Sequence, residues 1–455
     1  MAMEWQALLD KRRLGGRNAK NEAGRSPFNS DHDKVIFSGA FRRLARKTQV
    51  HPLATNDHVH NRLTHSLEVA SVGRSLGIRI GQELKSGKHL SDDMEASDIG
   101  DIVQTACLAH DIGNPPFGHT GEDAIRQWFN QESSQPFLKQ LSKNEKRDLQ
   151  NFEGNAQGLR LLTTSEYHPH DGGMRLTYAS LAAFIKYPWT AGPAISGKRP
   201  KKNKYGVFQS ELHLFHEIAR ATNLIQLGND WYCRHPLVHL MEIADDFCYA
   251  LIDLEDGIEM GILEWKEAYE ILEPVLDQDK KAALASDLGK VRVRYRPPLI
   301  RGKVISAFIE DATRAFIDNR SIILEGRCDE LLPLCESKVR TCVENAKSLA
   351  KSKVFSHPRK IELEIGAYST IATILDVLCH AALPPSGKKA MDFRSKRAID
   401  LMGANTFDLK KITAHNPNNS VEYLSLMKVL DYVSGMTDNY ALHLAKQFTG
   451  FGGTR

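Results

Sequence analysis

The stretch Ala109-His110-Asp111-Ile112-Gly113-Asn114-Pro115-Pro116-Phe117-Gly118-His119 decides how this chain folds and what it carries. Residues 99–110 repeat apolar side chains at helical spacing. Gly113 and Pro115 then stop the helix, because proline lacks an amide hydrogen and its ring collides with the preceding turn. At the helix end an imidazole stands beside a carboxylate, both of them metal-ligand types. The Gly/Pro break lets the chain turn back, so that His119 and Glu122, one helical turn further on, face the same pocket.

Outward from this stretch helical periodicity dominates. Val35, Ile36, Phe41 and Leu44 fit one helix face, with Ser30 or Asp31 as its cap. Leu67, Val69, Ala70, Leu76 and Ile80 mark another. Further helices are predicted across 122–130, 155–162, 210–221 and 236–260, and later near 298–318, 334–350, 357–381 and 387–402. Strand signals are sparse: residues 167–176 suggest one small hairpin turning at Asp171-Gly172. Residues 197–204, rich in Lys and Arg, read as a basic surface loop, either simply solvated or in contact with phosphate or nucleic acid. The predicted class is all-α, a helical core with an appended helical C-terminal region. The expected parts are an N-terminal arm over 1–30, a core over 31–275 and the C-terminal region over 276–455.

The chain has 455 residues, enough to bury a large core without covalent staples. Hydrophobic residues make up 42% and charged residues 25%, ordinary globular values. A net charge of +4 suits anionic substrates or weak nucleic-acid contact without selecting either. The seven cysteines include no CxxC pair, so reduced thiols and a cytoplasmic setting are expected. Cys328, Cys335 and Cys342, spaced by seven, are expected on one apolar helix face. No apolar run approaches the roughly 20 residues of a membrane span, and the first residues lack a signal-peptide core, so no membrane is expected.

His110 and Asp111 are too few to hold a metal. Asn61-Arg62-Leu63-Thr64-His65-Ser66-Leu67-Glu68 supplies His65 in the opening turn of a helix. Residues 242–253 supply Asp245, Tyr249 and Asp253 at i, i+4 and i+8, one face of a helix bordered by Ala244, Cys248, Leu251 and Ile252. Carboxylates beside such a stripe are costly to bury unless a metal or hydrogen bonds compensate them. The predicted ligands are therefore His65, His110, Asp111 and Asp245. With no thiolate among them, the set suits Mn²⁺, Mg²⁺, Fe²⁺ or Ni²⁺ with open positions rather than a structural zinc cage.

This constellation resembles the HD-domain phosphohydrolases, and among them the deoxynucleoside triphosphate triphosphohydrolases, the dGTPase family. The resemblance rests on Phe41–Val50, Arg62–Val69, His110–His119, Asn151–Gln157 and Ala244-Asp245-Asp246, in the family's order, and covers roughly residues 30–260. It implies hydrolysis of a dNTP, with dGTP favoured, to deoxynucleoside and inorganic triphosphate. It further implies His119 and Glu122 as a general acid/base pair, and Arg62 as first clamp on the triphosphate, with Lys186, Lys204, Arg301 and Lys303 as weaker candidates. Gln49, Tyr249 and Asp253 would recognise the deoxyribose, the Tyr249 ring standing where a 2′-hydroxyl would be, and Glu153 and Asn155 would complete the wall. A homo-oligomer, tetramer or hexamer, and a single-stranded DNA or nucleotide effector also follow from the resemblance. Two other readings fit the residues: another HD-domain nucleotidase or phosphodiesterase, and a DNA-responsive regulatory module with a vestigial site.

Overall fold

Helices build this protein almost alone. The computed structural model describes residues 2–19, 22–50, 56, 58–165, 173–192, 204–383, 391–403, 413 and 416–451. Its principal helices in chain order are α1 (Pro27–Ile36), α2 (Arg62–Ser86), α3 (Ala96–Ala109), α4 (Gly118–Asn130), α5 (Gly154–Arg160), α6 (Tyr178–Phe184), α7 (Val238–Glu259), α8 (Arg296–Asp318), α9 (Ser337–Leu349), α10 (Pro358–Ala382), α11 (Val421–Ser434) and α12 (Asp438–Phe448). Among the described residues the one sheet is a two-stranded antiparallel ribbon, Gln226–Gly228 with Trp231–Tyr232. The protein is all-α, as its sequence periodicity predicts.

The pairing of α2 with α3 sets the site. A Cβ at Gly77 would stand 2.8 Å from Gly100 Cα, and one at Gly81 2.8 Å from Ala96 Cα. The two backbones are therefore in near contact and antiparallel. The same register, continued toward the start of α2, brings His65 level with His110. Helix α7 packs across both and adds Asp245.

Two apolar clusters hold the helices. The first runs from Met3 through α2, α3, α6, α7, α8 and α9 to Val354. The second joins Phe117 and α4 to α10, α11 and α12, with Trp128, Trp189 and Tyr423 fully enclosed. The residues after 275 thus contribute to both clusters. Helix α10 is long and apolar enough to cross a membrane by length and composition. Its apolar positions Ile371, Ile374, Leu375 and Leu378 are spent on the second cluster.

Several sequence expectations change. The opening residues are packed rather than free: Met3, Trp5, Leu8 and Leu14 are buried in the first cluster, and Arg13 Nη1 donates to Asp31 at 2.5 Å. Helix α1 begins earlier than Ser30, with Ser26 capping it and Pro27 at its first position. Asp31 is instead fully buried and also accepts from Thr177 N at 2.7 Å. Phe41 and Leu44 lie beyond a break at Ser38, which caps a second short helix. Leu67, expected on a buried face, is 45% exposed. Cys328, Cys335 and Cys342 do not share a helix, because Pro333 sits in a short turn between α8 and α9. All three are buried; burial pushes the Cys328 thiol to about 11 and that of Cys342 to about 12, which leaves them unreactive. The predicted hairpin turn at Asp171-Gly172 and the basic stretch 197–203 lie outside the described residues.

A buried polar network joins the two clusters. Arg160 donates to Glu211 at 2.6 Å and to Asp431 at 2.8 Å. Nearby, Asp148 accepts from Gln209 N and Tyr423 Oη, both at 2.6 Å. Burial pushes the Asp148 carboxyl up from 3.8 to about 8. A group with a raised folded value binds its proton more tightly folded than unfolded. Its stabilising contribution is complete below the unfolded value and is lost as pH rises through the folded one. Asp148→Asn is therefore expected to narrow the difference in Tm between pH 5 and pH 8.5, by roughly a degree or more. Equal pH dependence of Tm in variant and wild type would contradict this.

Candidate metal centre and active site

Four segments deliver the site. Asn61 caps α2 by accepting from the Leu63 and Thr64 amides, which places His65 in the first turn. Helix α3 ends at Ala109 with His110 as its C-cap, and α7 presents Asp245 and Tyr249 one turn apart. Phe117 (φ 65°) and Gly118 (φ 57°) are consecutive left-handed residues. They reverse the chain into α4 and present His119 toward the same space.

His65, His110 and Asp245 each offer a ligand atom, all within 4.8 Å of one another. Asp245 Oδ1 lies 3.1 Å from His65 Nε2 and 3.6 Å from His110 Nε2. The His110 Nδ1–H donates to the Cys107 carbonyl at 2.6 Å, which leaves the Nε2 lone pair facing inward. That Nε2 is buried and has no hydrogen-bond partner among the described residues. A buried imidazole with an unused lone pair, oriented from behind by a backbone carbonyl and facing a second imidazole and a carboxylate, fits a divalent metal.

Asp111, the fourth predicted ligand, stands at the edge of this group. Its Oδ1 lies 3.7 Å from His110 Nε2 and its Oδ2 accepts from Arg62 Nη1 at 2.6 Å. Asn114 also donates to it. Burial works to raise the Asp111 carboxyl, but Arg62 and the two histidines outweigh burial and hold it at about 2. For Asp245, burial is likewise outweighed by His110, His65 and Lys186, and its carboxyl is held well below the usual range. Lys186 Nζ lies 3.7 Å from both Asp245 Oδ2 and Glu242 Oε1.

His119 Nδ1 pairs with Glu122 Oε2 at 2.8 Å. The histidine side chain is 72% exposed and the glutamate 1%. Glu122 Oε1 accepts from the Gly154 amide at 2.7 Å. Burial opposes ionisation of Glu122, yet the His119 hydrogen bond, Lys204 and Arg126 hold it at about 2. A fixed anion thus anchors Nδ1, and the exposed ring directs Nε2 outward.

A cavity of about 440 Å³ collects these groups. Of the predicted site residues, Gln49, Arg62, His110, Asp111, His119, Asn155, Lys204, Asp245 and Tyr249 line it. The Tyr249 ring packs on His65 with centroids 4.9 Å apart. Neither amide atom of Gln49 has a partner among the described residues. His65, Glu122, Glu153 and Asp253, the first two predicted for the metal and proton transfer and the last two for the substrate, do not line it. Glu153 is fully buried and accepts from Lys204 at 2.9 Å and Asn155 at 2.8 Å, while Asp253 is buried with Oδ1 unpartnered among the described residues. Arg301 and Lys303 do not line the cavity: they pair with Glu255 at 2.6 Å and Asp287 at 3.6 Å. The sequence reading missed Lys347, Phe355, Lys360 and Glu364, which bring α9 and α10 into the lining. Lys347 is held by Asp246 at 2.6 Å, and Thr120 Oγ1 donates to Glu364 at 3.2 Å. No motif announces them, since isolated lysines, a phenylalanine and a glutamate on late helices look like any helix surface.

Residues 62–183 match the family model described as the HD domain. Over 450 residues, 98% of this chain and 99% of the relative, the sequence is 46% identical to a "Deoxyguanosinetriphosphate triphosphohydrolase-like protein" of Pseudomonas aeruginosa. The chain belongs to the HD-domain dGTPase-like family. A relative of the same description in Synechocystis is 37% identical over 98% of this chain and 99% of its own. A "Deoxyguanosinetriphosphate triphosphohydrolase" of Salmonella schwarzengrund is 32% identical over 91% and 92%. The HD-domain match takes in His65, His110, Asp111, His119 and Glu122, whereas Asp245 and Tyr249 of this dGTPase-like chain lie beyond it. Membership of this hydrolase family agrees with the His/Asp group that could hold a divalent metal.

Proposed function

We propose that this protein hydrolyses a deoxynucleoside triphosphate, dGTP first among them, to deoxynucleoside and inorganic triphosphate. The observation that carries the reading is the meeting, in one cavity, of His110 and Asp245 backed by His65, of His119 backed by Glu122, and of five cations. The choice of dGTP follows the names of the relatives.

His65, His110 and Asp245 would hold the divalent ion, Mn²⁺, Mg²⁺, Fe²⁺ or Ni²⁺, with Asp111 at the edge of the set. When bound, the ion polarises a phosphoryl oxygen and lowers the pKa of water. The protein's own groups do the rest. Arg62, Lys186, Lys204, Lys347 and Lys360 line the cavity, each beside a carboxylate, and would turn in part to the roughly four negative charges of a bound triphosphate. Water adds to the α-phosphorus, and the bond from that phosphorus to the 5′-oxygen breaks. His119 exchanges a proton with the reacting oxygens through Nε2, while Glu122 fixes the ring through Nδ1. Gln49, whose amide has no partner among the described residues, would meet the sugar 3′-hydroxyl, and Tyr249 fills the space a 2′-hydroxyl would need.

Two results test the reading. A panel of the four dNTPs with Mn²⁺ and Mg²⁺ is expected to release triphosphate, and release of none from any of them would sink it. Tyr249→Ala is expected to relax the preference for dGTP over GTP by about tenfold or more, because removing the ring opens room for the extra hydroxyl. An unchanged ratio of kcat/KM for the two nucleotides would remove Tyr249 from the role.

A further inference from the structure

We infer that Asp438 is a positioning residue that fixes two neighbouring parts of the cavity wall relative to each other. The inference rests on the proposed reaction for its functional meaning and on hydrogen bonds for its geometry. Asp438 opens α12, after Thr437 as N-cap, and is 2% exposed. Its Oδ2 accepts from the Thr48 amide at 2.9 Å and from the Thr48 hydroxyl, and its Oδ1 accepts from the Phe117 amide at 2.9 Å. Thr48 precedes Gln49, and Phe117 is the left-handed residue that turns the chain toward His119. One carboxylate, through its two oxygens, therefore ties the sugar-binding side to the proton-transfer side.

A second tie runs in parallel. Lys47 Nζ donates to the Asn114 carbonyl and to the Ser434 carbonyl, each at 2.6 Å. The same pair of segments, 47–48 and 114–117, is thus held twice by the joint between α11 and α12. A left-handed non-glycine residue is costly and persists only where its surroundings hold it, and the Asp438–Phe117 bond is such a hold. Near-attack geometry tolerates little error: a displacement of about 1 Å costs up to about 10²-fold in rate.

The test compares full-length wild type, Asp438→Ala, Asp438→Asn and Asp376→Asn. The last makes the same substitution at another C-terminal tie, Trp128 Nε1 to Asp376 Oδ1 at 2.8 Å, and weakens it by taking the charge from the acceptor; neither residue lines the cavity. Asp438→Ala is expected to speed hydrogen exchange at the Thr48 and Phe117 amides and to lower kcat on dGTP about tenfold or more, with Mn²⁺ affinity within about threefold of wild type. Asp438→Asn keeps the side-chain size and one acceptor oxygen, and covers the case in which alanine unfolds the chain. It is expected to recover protection at one of the two amides and part of kcat. Asp376→Asn is expected to leave both amides and kcat near wild type. Unchanged exchange at both amides in Asp438→Ala, or an equal kcat loss in Asp376→Asn, would overturn the inference. If wild type releases no triphosphate from dGTP, the functional reading falls, and the exchange data alone still decide whether Asp438 holds the two segments.

Discussion

Asp245→Ala is expected to lose divalent-metal binding and dNTP hydrolysis together, the latter by on the order of 10³-fold or more. In the folded protein Asp245 is the one carboxylate close to both imidazoles, 3.1 Å from His65 Nε2 and 3.6 Å from His110 Nε2. Without it, Asp111 at the edge is the carboxylate left beside the two imidazoles, and Lys186 loses the Asp245 anion it faces, so a cation is held far less well. The same loss leaves buried groups unpaired and lowers stability by a few kcal/mol. Asp245→Asn, which keeps the shape and an acceptor oxygen, separates the two effects: it is expected to melt close to wild type and still bind metal poorly. Calorimetric titration with Mn²⁺ beside a triphosphate-release assay reads both. Normal hydrolysis in either variant would exclude Asp245 from the metal group.

His119→Ala is expected to lower kcat by about 10²- to 10⁴-fold while Mn²⁺ affinity stays near wild type. The ring lies on the exposed side of the cavity and takes no part in the His65–His110–Asp245 group. Its loss therefore removes proton transfer without disturbing the ligands. Glu122→Gln is expected to give a smaller loss, because its one acceptor oxygen can keep the bond from His119 Nδ1 and hold the ring in place. The Gly154 amide, which bonds the other Glu122 oxygen, then loses its acceptor. Turnover at the wild-type rate in His119→Ala would remove the acid/base assignment, and a parallel loss of Mn²⁺ affinity would show the residue acting on the metal group instead.

The helices that carry the metal-type residues were legible because each combines a clear apolar period with a local stop or cap: Asn61 before α2, and Gly113 and Pro115 after α3. The meeting of His65, His110 and Asp245 was legible from ligand chemistry, since each is costly to bury alone. Asp111 was harder. Adjacency to His110 marked it as a ligand, but its strongest contact is the guanidinium of Arg62, which sequence spacing does not reveal. The C-terminal contribution was not legible at all. Lys347, Phe355, Lys360 and Glu364 reach the cavity because α9 and α10 pack against the core, a long-range result with no local signature. Asp438 belongs to the same class, a helix-opening acid by its sequence and a tie between two site segments by its contacts. The opening segment failed in the opposite direction. It was expected as a separate arm over 1–30, yet Met3, Trp5 and Leu8 are enough apolar surface to seat it on the first cluster.

The central claim concerns which bond breaks. Hydrolysis of dGTP in H₂¹⁸O with Mn²⁺, analysed by mass spectrometry, reads it most directly. The account predicts deoxyguanosine without label and inorganic triphosphate carrying one ¹⁸O, since water enters at the α-phosphorus and the 5′-oxygen leaves with the sugar. Pyrophosphate or orthophosphate as the product, or label in the deoxyguanosine, would contradict it.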